Sequence, residues 1–169
     1  MDKLEIIQKI LEEHLSFREN IKLAGDSVSD PEALTSLMQA RNDWMPGKPG
    51  DTPAKKEQLQ GTLSYLDEGL KNHFAFEEEL LPPILGELLT RGLTLDHRSI
   101  SAKIQKAIST IGDTELEGLS RDRLLAAQAQ VKQLIMNIGQ LVERHATDEE
   151  ALLRFAERAI REGGKDEQG

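Results

Sequence analysis

Several residue types and patterns that define large protein classes are missing from this sequence. It contains no cysteine, one tryptophan and one tyrosine. Without cysteine the chain forms no disulfide and supplies no thiolate ligand or thiol nucleophile. No apolar run approaches the roughly 20 residues that a membrane-spanning helix requires, and the first residues lack the apolar core of a signal peptide. We therefore expect a cytoplasmic protein with no membrane partner.

Charge of positive sign is also scarce. The chain has 21 basic and 30 acidic residues among 169, a formal net charge of −9. Nucleic acids are bound through basic surface because their phosphates are anionic, so we expect no nucleic-acid partner. Hydrophobic residues make up 38% and charged residues 30%. This balance is typical of amphipathic helices, and the length suits one domain with its own core.

Hydrophobic residues recur at alternating steps of three and four along four long segments. This spacing marks one face of an amphipathic helix, and no segment shows the alternation of a strand. We therefore predict an all-α, up-down-up-down four-helix bundle, formed as one domain by residues 1–162. The predicted long helices cover about residues 2–24, 53–81, 94–111 and 120–160.

Glycine and proline mark the connection between the first two long helices. Gly25 is expected to end the first helix, as a glycine directly after a helix often does. Asp30 and Pro31 are typical of a helix start and predict a short extra helix over residues 31–42. Two glycines and three prolines then predict a long surface loop at residues 44–53.

The later breaks are predicted in the same way. Pro82 and Pro83 each lack a backbone donor, so they should interrupt the second helix. One or two further turns are expected before Gly92 ends them, and the third helix should start near Thr94. Residues 163–169 contain three glycines and are expected to form a disordered tail.

The second helix carries a histidine and a glutamate where its hydrophobic pattern calls for leucine. His73 and Glu77 follow Leu66 and Leu70 on one face, and Leu80 continues that face. A spacing of four residues places two side chains one turn apart, about 40° around the helix. An imidazole and a carboxylate buried together are costly unless something pairs with them. A metal ion is one such partner.

The other three histidines also fall on the hydrophobic faces of their helices. His145 precedes Glu149 by the same four residues, while His14 and His97 lie on the first and third helices. If such a face covers about two positions in seven, four chance placements have a probability of about one in 150. In an up-down-up-down bundle all four histidines reach one level. One site can therefore collect them.

Four imidazoles and two carboxylates in a bundle core predict two metal ions bridged by the carboxylates. This donor set suits iron, manganese or zinc. The neighbouring carboxylates of Glu78 and Glu150 are expected to face water. One alternative stays open, because a buried histidine is often a hydrogen-bonded core residue. In that case the chain is a structural or interaction bundle that binds no metal.

One histidine on the first helix, His-x-x-x-Glu on the second, one histidine on the third and His-x-x-x-Glu on the fourth together resemble the hemerythrin-like family of di-iron bundles. The resemblance covers about residues 2–160. It implies a division of the six metal ligands: His14 and His73 for one ion, His97 and His145 for the other, and Glu77 and Glu149 as bridges.

Two positions depart from the oxygen-carrying members of that family. Those proteins have a further histidine one turn after that of the third helix, where this chain has Ser101. Their last carboxylate stands five residues after its histidine, a position that Glu150 occupies here. The pattern is instead similar to the branch that includes di-iron repair proteins and iron-responsive hemerythrin-like domains. These departures argue against reversible oxygen transport. With two histidines per ion, each ion keeps an open position, as catalytic or small-ligand sites require.

The resemblance implies two iron ions, in preference to manganese or zinc. It also implies a small ligand such as O2, NO or peroxide, which the protein would bind, sense or react with, unless it handles iron itself. An enzyme, a sensor, a store and an iron donor all share this pattern. A protein partner or a second copy of the chain is compatible with each of them.

Overall fold

The computed structural model describes residues 1–28, 55–114 and 120–166. Within these ranges the chain forms helices and no strand, which confirms the all-α prediction. The five helices are α1 (Lys3–Ser27), α2 (Lys55–Leu80), α3 (Pro82–Leu85), α4 (Glu87–Asp113) and α5 (Arg121–Asp166). None of them combines the length and apolar character that crossing a membrane requires.

The start of α1 is fixed by its own sequence. The Asp2 side chain accepts a hydrogen bond from the Glu5 backbone N–H at 2.8 Å, and the Glu5 carboxylate accepts one from the Asp2 backbone N–H at the same distance. This reciprocal cap satisfies two backbone donors that the first turn leaves open, and such a cap stabilises a helix by about 1 kcal/mol.

The end predicted for α1 is wrong. The helix passes through Gly25 and ends at Ser27. Glycine costs only about 1 kcal/mol in a helix interior, and Ala24 and Val28 on either side of it are buried in the core. A side chain at position 25 would come within 3.7 Å of Ile135 on α5. Packing against α5 therefore continues the helix past the glycine.

The break after α2 comes where the prolines predict it, but α4 begins earlier than expected. Pro82 and Pro83 take the first two positions of α3, where no backbone donor is needed. Gly86 then adopts a φ of 84°, which favours glycine, and α4 starts at the next residue. The predicted stop at Gly92 is wrong because Thr90 and Leu93 extend the buried face of α4 backwards.

The last helix is longer than the sequence predicts. α5 begins directly after Ser120, as expected, and ends at Asp166. Residues 163–166 are therefore helical where a disordered tail is predicted. The rest of that tail, the extra helix at 31–42 and the loop at 44–53 lie outside the described residues, and the domain limits stay predictions.

The four long helices pack side by side in the order α1, α2, α4, α5, with α5 returning to α1. Two apolar clusters fill the space between them. The larger surrounds Leu63, Ile104 and Ile135, and the smaller joins Ile10, Leu81, Leu93 and Leu153. On every long helix, residues of both clusters flank a histidine. The histidines thus form one layer between the two clusters.

Candidate metal centre

The structure brings all six predicted side chains together in this layer. α1 supplies one residue, α2 two, α4 one and α5 two, and every one of them is at most 4% exposed. Glu77 and Glu149 are completely buried. The members are His14, His73, Glu77, His97, His145 and Glu149.

Glu77 stands among three of the imidazoles. Its Oε1 atom lies 2.6 Å from His73 Nε2 and 3.6 Å from His14 Nε2. Its Oε2 atom lies 3.2 Å from His97 Nε2. The two oxygens of one carboxylate therefore face the inner nitrogens of histidines on three helices.

Glu149 completes the layer from α5. Its Oε2 atom lies 3.5 Å from His14 Nε2 and 3.4 Å from His145 Nε2. All four histidines thus turn Nε2 inward, toward two carboxylates. Two groups of side chains are close enough to hold a metal ion each: His14, His73 and Glu77, and Glu77, His97 and His145. Glu77 belongs to both groups.

The inner atoms of the layer have no hydrogen-bond partners within the described residues. This holds for all four Nε2 atoms and for both oxygens of Glu77 and of Glu149, because their close approaches lack hydrogen-bond geometry. Buried polar groups are almost always hydrogen-bonded, and leaving them unpaired costs free energy. Nitrogen and oxygen lone pairs that converge in this way fit a metal cation.

The outer nitrogens of the imidazoles face a second set of carboxylates, which we call the outer carboxylates: Glu13, Glu78, Asp96 and Glu150. Glu13 Oε2 lies 2.6 Å from His73 Nδ1, and Glu78 Oε1 lies 2.9 Å from His97 Nδ1. A carboxylate can only accept, so the Nδ1 atoms donate. In a neutral imidazole, this leaves the Nε2 lone pair free for the centre of the layer.

The outer carboxylates form a closed ring around the bundle. Glu13 on α1 contacts His73 on α2, and Glu78 on α2 contacts His97 on α4. Asp96 on α4 faces His145 on α5. Glu150 on α5 returns to α1, where its Oε1 atom lies 3.3 Å from His14 Nδ1. Each outer carboxylate is adjacent in sequence to one member of the layer, yet it contacts a histidine on the neighbouring helix.

One arginine links this ring to Glu143 on the surface of the bundle. Arg18 on α1 donates from Nη1 to Glu150 Oε1 at 2.6 Å and from Nε to Glu143 Oε2 at 2.5 Å. Glu150 therefore accepts from an arginine and an imidazole at once. Charge-assisted bonds of this kind hold a side chain in one orientation.

Aromatic rings wall the layer on the side of the larger cluster. The ring of Phe74 stacks on His97 with a centroid separation of 4.0 Å and an interplanar angle of 4°. It also meets His145 edge-on at 5.7 Å, and Phe17 packs against His73 at 5.1 Å. These contacts exclude water and restrict rotation of the imidazoles.

Without a cation, the layer shifts the pKa values of its members in opposite directions. Burial opposes a charge on His14, but the carboxylates of Glu149 and Glu77 outweigh it and raise its pKa to about 9. Burial, together with the neighbouring imidazole of His97, lowers the pKa of His145 to about 4. Burial likewise raises the pKa of Glu149. The surrounding imidazoles overcome burial at Glu77 and hold its pKa well below the usual range.

The outer carboxylates are what sequence reasoning missed. The expectation that Glu150 faces water is wrong, since its side chain is only 16% exposed and contacts His14. Glu78 is 41% exposed, yet it accepts from His97. Glu13, Asp96 and the stacked Phe74 also belong to the site, although the hydrophobic pattern does not predict them. Their signal is their position in the chain, next to a predicted ligand.

Comparison with known families agrees with this geometry. Residues 5–154 match the family described as Hemerythrin HHE cation binding domain. The chain therefore belongs to the hemerythrin family of cation-binding domains, and the resemblance inferred from the sequence is confirmed. Neither curated proteins nor solved structures gave a significant match.

Proposed function

We propose that this protein is a non-haem di-iron protein that binds, senses or reacts with a small ligand such as O2, NO or peroxide. The observation that carries the proposal is the buried layer itself, in which four imidazole nitrogens and four carboxylate oxygens converge without hydrogen bonds. Family membership supports cation binding. The choice of iron over manganese or zinc rests on the family likeness.

The geometry supports two ion positions that share carboxylates. His14 and His73 would hold one ion, and His97 and His145 the other, in line with the two groups that share Glu77. Glu149 is the proposed second bridge because its Oε2 atom faces one histidine of each pair. Two histidines and two shared carboxylates would leave each ion an open position, as ligand binding requires.

The alternative, a bundle with hydrogen-bonded histidines and no metal, is less well supported. The outer nitrogens of three histidines do have hydrogen-bonded partners. The inner nitrogens do not, and neither do the carboxylates between them. A structural role would leave these groups unpaired in the core, at a cost that apolar side chains would avoid.

Bound iron would supply redox chemistry and an open coordination position. The protein residues around it have other roles. The outer carboxylates orient the imidazoles so that Nε2 points to the centre of the layer, while Phe17 and Phe74 exclude water from one side. The proposed up-down-up-down order of the long helices fits this arrangement. It explains why the smaller apolar cluster joins the start of α1 to the ends of α2 and α5 and the start of α4.

Metal content tests the proposal directly. Protein purified without added metal, and then loaded anaerobically with ferrous iron, should contain two ions per chain by mass spectrometry of the elements. Glu77→Gln should lose most of both ions, since Glu77 faces both pairs of histidines. Glu79→Gln is the matched control, because this glutamate is exposed and two residues away. A protein without metal, or equal loading in both variants, would contradict the proposal.

Stopped-flow mixing separates the enzyme from the sensor. Reduced, loaded protein is mixed with excess O2, NO or peroxide while ligand and metal absorbance are both followed. Repeated consumption of the ligand would identify an enzyme. A single stoichiometric change would identify a sensor or a store, and the absence of any spectral change would show that no open position exists.

A further inference from the structure

The ring of outer carboxylates has one short member. Glu13, Glu78 and Glu150 come within 2.6, 2.9 and 3.3 Å of their Nδ1 atoms. Asp96 Oδ2 stops 3.9 Å from His145 Nδ1, too far for a hydrogen bond. Aspartate is one methylene group shorter than glutamate, which accounts for the gap. His145 Nδ1 is thus the one outer nitrogen of the layer that lacks a partner within the described residues.

A small cavity lies at this gap. Its volume is about 20 Å³, and its lining residues are Asp96, Ser99, Ile100, Leu141, Arg144 and His145. A water molecule needs roughly 10–15 Å³ of such space and two to four polar partners. Three of the lining residues carry such groups: Asp96 a carboxylate, Ser99 a hydroxyl and His145 its Nδ1 atom. The cavity therefore has the size and the chemistry for one water molecule.

We propose that Asp96 positions His145 through a water molecule bound in this cavity. His145 is then the least firmly held of the four imidazoles, and the ion assigned to His97 and His145 is the exchangeable one of the pair. This inference rests on the proposed function, because it concerns the order in which the two ions leave.

The physical reason lies in how an outer partner supports a ligand. A carboxylate bonded directly to Nδ1 fixes the imidazole and increases its basicity, and loss of such a partner lowers metal affinity roughly 10–100-fold. A bridging water transmits less of this effect and exchanges with solvent. The Asp96 side chain is 44% exposed, so solvent reaches this cavity. By contrast, Glu150 is bonded directly to His14 and held in turn by Arg18.

Chelator competition on the fully loaded protein tests the inference. Release of the two ions should follow two phases, of which the faster belongs to His97 and His145. Asp96→Ala should speed the faster phase roughly tenfold and leave the slower one unchanged. Asp96→Glu should reach Nδ1 directly and slow that phase toward the other. Asp96→Asn also removes the carboxylate but keeps the shape of the side chain, so it replaces the alanine variant if that variant fails to fold.

Two further variants locate the effect. Asp148→Asn removes an exposed charge from the same end of the bundle and should change neither phase. Glu13→Gln weakens the direct partner of His73 and should speed the slower phase instead. Nitrogen-edited NMR of the zinc-loaded form gives an independent readout. The Nδ1 proton of His145 should exchange with water faster than that of His73, and Asp96→Glu should remove the difference.

The outcomes separate this inference from the proposed function. The inference is overturned if two ions are bound but leave at one rate, or if neither Asp96→Ala nor Asp96→Glu changes the release rates. The proposed di-metal site would stand in both cases. If no preparation binds two ions, the proposed function fails as well.

Discussion

The larger apolar cluster and the layer of histidines and glutamates are equally buried and lie on the same helices. Ile104 and Ile111 are 0% exposed, and so are Glu77 and Glu149. Burial of an apolar side chain stabilises the fold by roughly 1.5–3 kcal/mol. Burial of an unpaired carboxylate or imidazole opposes folding, because these groups lose water and gain no hydrogen bond.

The two regions therefore teach that burial alone does not reveal what a residue contributes. The cluster holds the helices together without help. The layer occupies the same kind of position and becomes favourable only when a cation pairs with it. If this division is right, a cluster variant should lose stability and keep its metal, whereas a layer variant should lose metal and keep its fold.

After Glu77, the largest effect is expected at the proposed second bridge, which is on α5. Glu149→Gln keeps the size of the side chain but removes its negative charge and replaces one carboxylate oxygen by an NH2 group, which cannot bind a metal. We expect one of the two ions to be lost, with at least a hundredfold drop in apparent affinity, and an unchanged helical circular dichroism spectrum. Metal analysis after dialysis measures the loss.

The next residue is the matched control. Glu150 contacts the outer nitrogen of His14 and the guanidinium of Arg18. Glu150→Gln keeps an acceptor in that position, so we expect both ions to bind with affinity reduced by no more than about tenfold. Full loading in Glu149→Gln together with loss in Glu150→Gln would exchange the roles of the two residues.

The cluster should respond in the opposite way. Ile104→Ala removes a fully buried side chain from the larger cluster and should lower the free energy of unfolding by about 2–5 kcal/mol. Metal content should stay at the wild-type value. Leu125→Ala, at a leucine that is 55% exposed, should change stability by less than about 0.5 kcal/mol. Urea titration measures both, and loss of metal from Ile104→Ala would show that the two regions are not separable.

The sequence predicts the layer because helical periodicity is a local property. A face that buries Leu66 and Leu70 also buries His73 and Glu77, and the structure shows all four buried. Which helix faces which does not follow from periodicity. The outer carboxylates were missed for that reason, since each contacts a histidine on another helix.

The breaks between helices show the same limit of prediction from local sequence. Gly86 and Gly92 are both plausible places for a helix to stop, and general glycine preferences do not choose between them. Gly86 adopts a positive φ, whereas Gly92 is helical because Thr90 and Leu93 bury against the rest of the bundle. Tertiary packing makes that choice. The buried spacing of Thr90, Leu93 and His97 was the available signal, and it outweighs the glycine.

The smallest expected effect is a change in stability with pH. It tests the comparison between the layer and the larger apolar cluster. In the metal-free protein the pKa of His14 is raised from 6.5 to about 9, because the carboxylates of Glu149 and Glu77 outweigh burial. A raised pKa means that the folded state binds the proton more tightly. The resulting stability is fully present below pH 6.5 and is lost as the pH rises through about 9.

A bound cation would take the place of that proton on Nε2, so the loaded protein should not show this loss. We expect the free energy of unfolding of the metal-free form to fall across this alkaline window, while that of the loaded form stays level. Urea titrations of both forms at several pH values measure the difference. His14→Gln in the metal-free state should remove the decline, because the proton-binding group is gone. An equal decline in the loaded and metal-free forms would mean that no cation occupies the inner face of His14, and the contrast between layer and cluster would then need another explanation.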